Sequence, residues 1–257
     1  MSHDVKKNKL LKKIIGLFGY KIVDKNSAKT ERLLESLSFS SGDFIKFLIN
    51  TKKINEIIQI GANDGKSDDF LRESINKDTK VLLVEPIESA FIELKKNYSG
   101  YNNVKFINKA LDVNRGKKSI YTVNPEHYDY YKKKYKSNNV DWLTVLASFE
   151  ESHLINHGVK LKHIHSTDVD CMTFNDLIKQ YNFNQLDLLI IDTEGYDSIL
   201  VKNFIEDTNI RPIIIFEWIH MKKDEAKNII ELLEANNYKF LKINKDLICI
   251  QNSLLFN

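Results

Sequence analysis

Two carboxylates placed to act on a substrate follow the apolar run LDLLIID at 186–192. Asp192 ends the run, and Glu194 follows shortly after it, beside Gly195. At the end of a buried strand, such a pair can position or deprotonate a hydroxyl, or hold a divalent cation together with Glu217. A cap and loop cluster that serves only the next helix is the structural alternative.

A second apolar run, RPIIIFEWIH at 211–220, repeats this arrangement. It presents Glu217 and His220 where the predicted strand leaves the core. Histidine exchanges protons near neutral pH, so His220 is a candidate base. A surface histidine is the alternative, and the sequence leaves metal dependence open.

The turn after the apolar run INEIIQI at 54–60 reads GANDG and precedes a helix signal. Gly61 and Gly65 lack Cβ atoms and permit positive φ, so the backbone can approach a ligand and turn sharply. The spacing is not that of a dinucleotide or phosphate loop. Asp64 would repel a pyrophosphate but suits an ammonium group such as that of S-adenosylmethionine. Ser67 is a natural N-cap for the helix that follows. A purely structural tight turn is the alternative.

The next two predicted strands end in polar residues that suit an adenosine. The second strand ends in Glu85 and Pro86, and a carboxylate there can accept hydrogen bonds from both ribose hydroxyls. A nicotinamide nucleotide would use the same carboxylate. In the third strand, NVKFINKAL at 103–111, Asn108 and Ala110 are expected beside the adenine, although a core Ala-Leu pair explains this stretch equally well.

Strand and helix signals alternate from residue 54 onward, which is the pattern of βαβ units in a parallel sheet with helices on both faces. The last two strands are joined by only Lys245 and its neighbours, so they must be antiparallel. The predicted strands are 54–60, 80–86, 103–111, 117–123, 162–174, 186–192, 211–220, 238–244 and 246–252. The predicted helices are 67–75, 89–98, 173–183, 197–207 and 223–237.

An inserted segment at about 116–165 interrupts this alternation with polar and aromatic residues. Long interruptions of this kind often carry the substrate lid of an α/β enzyme. A solvated surface helix over YDYYKKKYK, at 128–136, is the alternative interpretation.

The composition fits one soluble α/β domain, predicted at 50–257. The chain has 257 residues, 42% of them hydrophobic and 28% charged. A net charge of +3 gives no reason to expect nucleic acid as a partner. Cys171 and Cys249 both lie in strand-like stretches and are predicted to be buried free thiols.

The leader, residues 1–49, is predicted to contain a basic amphipathic helix. Residues 1–29 hold eight lysines against Asp4 and Asp24, but no signal sequence and no membrane-spanning run. A cytoplasmic location is expected. The helix either packs on the domain or on a partner subunit, as in a homo-oligomer, or makes a weak membrane-surface contact. Its apolar face is formed by Leu10, Leu11, Ile14, Ile15 and Phe18.

These stretches together resemble the FkbM family of S-adenosylmethionine-dependent methyltransferases over about residues 50–255. The resemblance rests on GANDG, LLVEP, NKAL, LASFEESHL, LLIIDTEGYDSIL and IIIFEWIH, of which the Asp-x-Glu-Gly-x-Asp stretch is the most specific. It implies a class I methyltransferase (Rossmann-like) fold, with a seven-stranded sheet whose last strand is antiparallel. It also implies O-methylation, commonly of a sugar hydroxyl in a surface polysaccharide such as a capsule, a glycolipid or a secondary metabolite.

The resemblance also implies roles for individual residues. The glycine turn would hold the methionine end of the cofactor, although Asn63 and Asp64 replace the family's small or hydrophobic residues. Ser148 and His153 match the family's substrate-side stretch. The predicted catalytic residues are Asp192, Glu194, His220 and His153. The predicted cofactor-binding residues are Gly61, Ala62, Asn63, Asp64, Gly65, Ser67, Glu85, Pro86, Asn108, Ala110 and Asp192.

Two rival functions follow from the same residues. A nicotinamide-dependent oxidoreductase is disfavoured by the missing third glycine and by the terminal hairpin. A noncatalytic adenosine-binding scaffold is the other. The acceptor is left open among a sugar ring, a phosphate-bearing sugar and a polyketide hydroxyl.

Overall fold

The computed structural model describes residues 40–51, 54–66, 71–136, 140 and 142–255. The basic helix predicted in the leader, Ser67 and the first half of the helix predicted at 67–75 lie outside these residues. Among the described residues, no helix is both long enough and apolar enough to cross a membrane.

The strands form two sheets. The strands are β1 (Glu56–Ile60), β2 (Lys80–Val84), β3 (Val104–Ile107), β4 (Ala110–Leu111), β5 (Gly116–Val123), β6 (Ala147–Ser148), β7 (Ile164–Met172), β8 (Leu188–Ile191), β9 (Ile213–Glu217), β10 (Tyr238–Ile243) and β11 (Asp246–Gln251). The larger sheet has seven strands in the order β10-β11-β9-β8-β1-β2-β3, and only β11 runs against its neighbours. The predicted seven-stranded, mostly parallel sheet with an antiparallel C-terminal hairpin is therefore confirmed.

Four of the helices in the described part of the chain agree with the sequence pattern. The helices are α1 (Ser41–Thr51), α2 (Glu88–Asn97), α3 (Tyr128–Tyr135), α4 (Trp142–Val145), α5 (Glu151–Asn156), α6 (Phe174–Tyr181), α7 (Asp197–Asp207), α8 (Lys223–Ala235) and α9 (Asn252–Leu255), with 3-10 turns at Pro125–His127 and Leu161–His163. The predictions at 89–98, 173–183, 197–207 and 223–237 correspond to α2, α6, α7 and α8. The described part of the predicted helix at 67–75 forms turns instead, with one helical bond from Ile75 N to Leu71 O.

The main core lies between one face of the larger sheet and helices α6, α7 and α8. Alternate residues of a strand point to the same face, so every second strand residue joins this cluster. Each fully buried apolar side chain stabilises the folded protein by roughly 1.5–3 kcal/mol relative to an exposed one. The strand members are Ile58, Ile60, Leu82, Val84, Leu189, Ile191, Ile214 and Phe216, and the helix members include Phe174, Leu177, Leu200, Phe204 and Leu233.

The segment predicted as a single third strand is divided between the two sheets. β3 ends at Ile107, and the chain then crosses to the smaller sheet, where Ala110 pairs with Cys171 of β7. That sheet has the order β4-β7-β5-β6. Cys171 and Cys249 are buried free thiols, as predicted.

The inserted segment has a small core of its own. Tyr131 of α3 is fully buried, and its hydroxyl accepts a hydrogen bond from Lys160 N at 2.9 Å and bonds His163 Nδ1 at 2.9 Å. A helix over most of YDYYKKKYK is thus confirmed, whereas a role as a lid stays a prediction. The core comprises Val123, Tyr131, Val140, Leu143, Leu146, Leu154 and Val159.

The two glycines of the turn after β1 are required by neighbouring parts of the protein. A Cβ on Gly61, at a φ of +78°, would lie 1.7 Å from the carbonyl oxygen of Asp192. A Cβ on Gly65, at a φ of +66°, would lie 2.6 Å from Leu94 Cδ1 and 2.8 Å from Tyr98 of the α2 region. The structure thus gives both glycines a packing role, in line with the structural alternative named above, and approach to a ligand stays a prediction for Gly61.

We predict that Gly61→Ala destabilises the protein by about 2 kcal/mol or more, because the new Cβ meets a main-chain oxygen and alanine is strained at this φ. Urea unfolding followed by circular dichroism measures the effect. Gly100→Ala is the control, since its Cβ would meet no atom within 4 Å, and its stability should stay within about 1 kcal/mol of the parent. Equal midpoints for both variants would contradict the packing argument.

Candidate active site

A cleft opens at the carboxyl ends of β1, β2 and β8. Parallel strands of an open α/β sheet present their ligand sites at this edge. The inserted segment contributes further lining residues. The strand-end lining includes Gly61, Ala62, Asn63, Glu85, Pro86, Ala110, Asp192 and Glu194, and the inserted segment contributes Ile120, Thr144, Val145, Ala147, Ser148 and Phe149.

Glu85 is buried at the end of β2 and lines the cleft. Its two oxygens accept backbone hydrogen bonds from Asn63 N at 2.9 Å and Ile87 N at 2.8 Å. Burial raises the pKa of Glu85 to about 7, although these two hydrogen bonds oppose the shift. Each carboxylate oxygen has a second lone pair, so Glu85 retains the capacity to bind two ribose hydroxyls.

The first part of the glycine turn lines the cleft, whereas its acidic residue does not. Gly61, Ala62 and Asn63 line it, whereas Asp64 and Gly65 do not. Asp64 Oδ1 accepts a hydrogen bond from Lys66 N at 2.9 Å, which closes the turn locally. The structure therefore gives no support to a contact between Asp64 and a cofactor ammonium group.

Two residues predicted beside the adenine have different positions. Ala110 lines the cleft, as does Pro86. Asn108 lies outside the lining and donates from Nδ2 to the carbonyl oxygens of Glu85 at 3.0 Å and Pro86 at 3.2 Å. Asn108 thus holds the end of β2 in place.

Asp192 and Glu194 reach the same cleft from the end of β8. Burial, reinforced by the charge of Glu194, raises the pKa of Asp192 to about 7, while Lys245 opposes the shift. Asp192 is thereby placed in the range where a carboxyl group can accept or return a proton near neutral pH.

The loop that presents Glu194 is held from beneath. The carboxylate of Asp197, buried at the start of α7, accepts hydrogen bonds from Thr193 N at 3.3 Å and Gly195 N at 3.2 Å. Ser148 Oγ donates to the carbonyl oxygen of Glu194 at 3.0 Å. These bonds hold Glu194 at a φ of 50°, a conformation that is uncommon for a residue with a side chain.

Glu194 lies next to a cluster of imidazoles and a second carboxylate. Its Oε2 is 3.5 Å from His153 Nε2 and 4.0 Å from His220 Nε2, and His220 Nε2 is 3.1 Å from Glu217 Oε2. The ring of His157 lies 4.4 Å from that of His153 and 5.1 Å from that of His220. The structure thus places the predicted catalytic residues His153 and His220 next to Glu194, although only Asp192 and Glu194 of the four line the cleft itself.

Three residues of this region were missed by the sequence interpretation. His157 follows His153 by one helical turn, a spacing that could have identified it. Lys245, from the β10–β11 turn, lies 3.3 Å from Glu217 Oε1 and lines the cleft, and only the sheet order brings it there. Asp197 belongs to the Asp-x-Glu-Gly-x-Asp stretch, but its inward orientation was not predictable from spacing.

The strand order and the site together define a class I methyltransferase, with a glycine turn after β1 and an acidic residue at the end of β2. The chain matches the family described as Methyltransferase FkbM domain over residues 59–240. The protein belongs to this family, and its cofactor is S-adenosyl-L-methionine. A comparison with curated proteins finds no match.

Solved structures show more distant likenesses. An S-adenosylmethionine-dependent O-methyltransferase from Thermotoga maritima is 9% identical, with a TM-score of 0.41 over 82% of this chain and 64% of that one. The cofactor-bound Rv0187 from MTB is 10% identical, with a TM-score of 0.46 over 83% and 82%. The fibrillarin pre-rRNA processing protein of Methanococcus jannaschii is 13% identical, with a TM-score of 0.38 over 76% of this chain and 64%, under two thirds, of that one.

We predict that adenosine binding weakens on acidification through the titration of Glu85. The carboxylate form prevails above about pH 7, and its protonation below that value weakens the acceptor that a ribose hydroxyl needs. Affinity should therefore fall by up to about tenfold per pH unit below the pKa. Calorimetry with adenosine, which is uncharged near neutral pH, measures this. Glu85→Gln should bind adenosine more weakly and without this pH dependence. If the variant keeps the pH profile of the parent, the titration belongs to another group.

Proposed function

We propose that the protein transfers a methyl group from S-adenosylmethionine to a hydroxyl of a sugar or sugar-linked acceptor. The pathway proposed is the biosynthesis of a surface polysaccharide, a glycolipid or a secondary metabolite. The observation that carries the proposal is the layout of the cleft. Glu85 follows β2 on one side of β1, and Asp192 and Glu194 follow β8 on the other side, with His153 and His220 next to Glu194.

Alignment of donor and acceptor is the main contribution of the site to this reaction. Methyl transfer from a sulfonium is an in-line displacement that discharges the sulfur, so no strong new charge has to be stabilised there. Holding the reactants in line accounts for roughly 7–11 kcal/mol of a barrier. The rigid turn at Gly61 and the carboxylate of Glu85 are the groups proposed to fix the donor.

A base at the acceptor end distinguishes a hydroxyl from a more nucleophilic acceptor. A sugar hydroxyl is a poor nucleophile until its proton leaves, and a base contributes about 10²–10⁴-fold. Asp192 is the proposed base, and His153 and His220 are grouped around Glu194 of the same loop. This arrangement favours O-methylation.

The inserted segment is proposed to select the acceptor. It supplies Ser148 and Thr144 as polar groups and Phe149 as an aromatic surface to the lining of the cleft. Aromatic faces and hydroxyls are common partners of sugar rings because a ring has apolar C–H faces and polar edges. This composition supports a sugar-like acceptor over a purely apolar one.

A noncatalytic adenosine-binding scaffold is the remaining rival, since the family assignment favours methyl transfer over hydride transfer. A scaffold would need no base at the far end of the cleft. Incubation with S-adenosylmethionine and a panel of nucleotide sugars and capsule fragments separates the two. Release of S-adenosylhomocysteine that depends on one acceptor supports the enzyme, and binding without turnover across the panel supports the scaffold.

We predict that Asp192→Asn leaves S-adenosylmethionine affinity within a few fold and lowers turnover by about 10²–10⁴-fold, because the amide keeps the shape but cannot accept the proton. Calorimetry and S-adenosylhomocysteine release measure the two quantities. Asp170→Asn, on an exposed position of β7, is the matched control and should keep full turnover. Unchanged turnover in Asp192→Asn would remove this residue from the mechanism.

A further inference from the structure

More imidazoles and carboxylates lie together beyond Asp192 than a single general base requires. We infer that His153, Glu194, His220 and Glu217 form a binding site for one divalent transition-metal ion at the acceptor end of the cleft. The four side chains come from different parts of the chain. His153 lies on α5, Glu194 follows β8, Glu217 ends β9, and His220 lies just beyond it.

Three separations within this group link the four side chains in a row. Consecutive atoms lie 3.5 Å apart for His153 Nε2 and Glu194 Oε2, and 4.0 Å apart for Glu194 Oε2 and His220 Nε2. His220 Nε2 and Glu217 Oε2 lie 3.1 Å apart. Two ligands at zinc bond lengths on a tetrahedral ion are about 3.4 Å apart, so the His153–Glu194 and His220–Glu217 pairs already have suitable separations. Glu194, Glu217 and His220 form one set of ligand atoms within 4.8 Å of one another, and His153, His157 and His220 form a second such set, so His220 joins the two and an ion would draw them closer together.

One atom of the cluster lacks a partner that an ion would supply. The Nε2 atom of His153 is buried and makes no hydrogen bond within the described part of the chain. A buried polar atom without a partner is uncommon and costs free energy. Gly195 admits this ring, because a Cβ there would lie 2.9 Å from His153 Nδ1. The fold therefore makes room for an imidazole whose free nitrogen lies 3.5 Å from Glu194.

The ligand types indicate the class of ion. Imidazole ligands suit zinc, iron, cobalt and related ions, whereas sites for magnesium and calcium consist mainly of oxygen. His157 adjoins the cluster and is an additional imidazole. Lys245 lies 3.3 Å from Glu217 Oε1, while the proposed ligand is the other oxygen, Oε2, so the lysine and the ion need not compete for one atom.

The position of the site suggests what an ion would do. Glu194 is both a proposed ligand and part of the cleft lining, so the ion would adjoin the acceptor. A bound divalent cation lowers the pKa of a coordinated hydroxyl and orients it. This consequence rests on the proposed methyl transfer to a hydroxyl, whereas the existence of the site does not.

The test is a titration of the full chain, freed of metal by a chelator, with Zn²⁺ by calorimetry and with Co²⁺ by visible absorption. We expect one ion per chain, with Co²⁺ absorption bands typical of nitrogen and oxygen ligands, and displacement of Co²⁺ by Zn²⁺. His153→Ala and Glu217→Gln should each weaken binding at least about tenfold. His165→Ala, an exposed histidine on β7, is the matched control and should bind as the parent does.

Absence of saturable binding at one ion per chain would overturn the inference, as would equal affinity in parent, His153→Ala and Glu217→Gln. Circular dichroism of the metal-free variants identifies any that fail to fold, and Glu194→Gln, which is partly exposed, then replaces them. Metal binding is read without an acceptor. A protein that binds the ion but methylates no hydroxyl would therefore refute the proposed function and leave the metal site standing.

Discussion

The site depends on the close approach of two strand ends, where the chain after β1 passes against the carbonyl oxygen of Asp192. Only a residue without a Cβ fits there, since that atom would lie 1.7 Å from the oxygen. Asp192 N donates to Ile60 O at 3.0 Å, and Gly61 N donates to Val84 O at 3.0 Å. These bonds join β1 to both neighbours at their carboxyl ends. The glycine turn after β1 and the loop after β8 consequently face one cleft.

The close approach of these strand ends brings several carboxyl groups into a partly desolvated region. Burial raises the pKa of both Glu85 and Asp192 to about 7, and it raises that of Asp197 well above its usual range. Burying three carboxyl groups costs free energy, and apolar packing around them does not offset that cost. Backbone donors compensate the burial of Glu85 and Asp197, whereas Asp192 faces the cleft. Strongly perturbed groups of this kind are typical of functional sites.

The inserted segment completes what the sheet begins. It carries a core of its own around Tyr131, and from that support it extends Ser148 and His153 towards Glu194. The acidic loop of the larger sheet and the imidazole of the insertion thus meet at Glu194, which lines the cleft. Gly195 is the point of contact, because any side chain there would displace His153. Donor binding is therefore proposed to belong to the sheet, and acceptor chemistry is proposed to arise where the insertion meets it.

Periodicity and turn chemistry were enough to predict the sheet, its terminal hairpin, four of the helices and the strand-end carboxylates, because these features depend on local alternation and on where apolar runs stop. Motif order placed Gly61, Glu85, Asp192 and Glu194 at one edge. The division of 103–111 between two sheets, the inward orientation of Asp197 and the arrival of Lys245 beside Glu217 were not predictable. They depend on contacts between residues distant in sequence, which local patterns do not encode. Asn108 shows the same limit, since its partners lie on the neighbouring strand end.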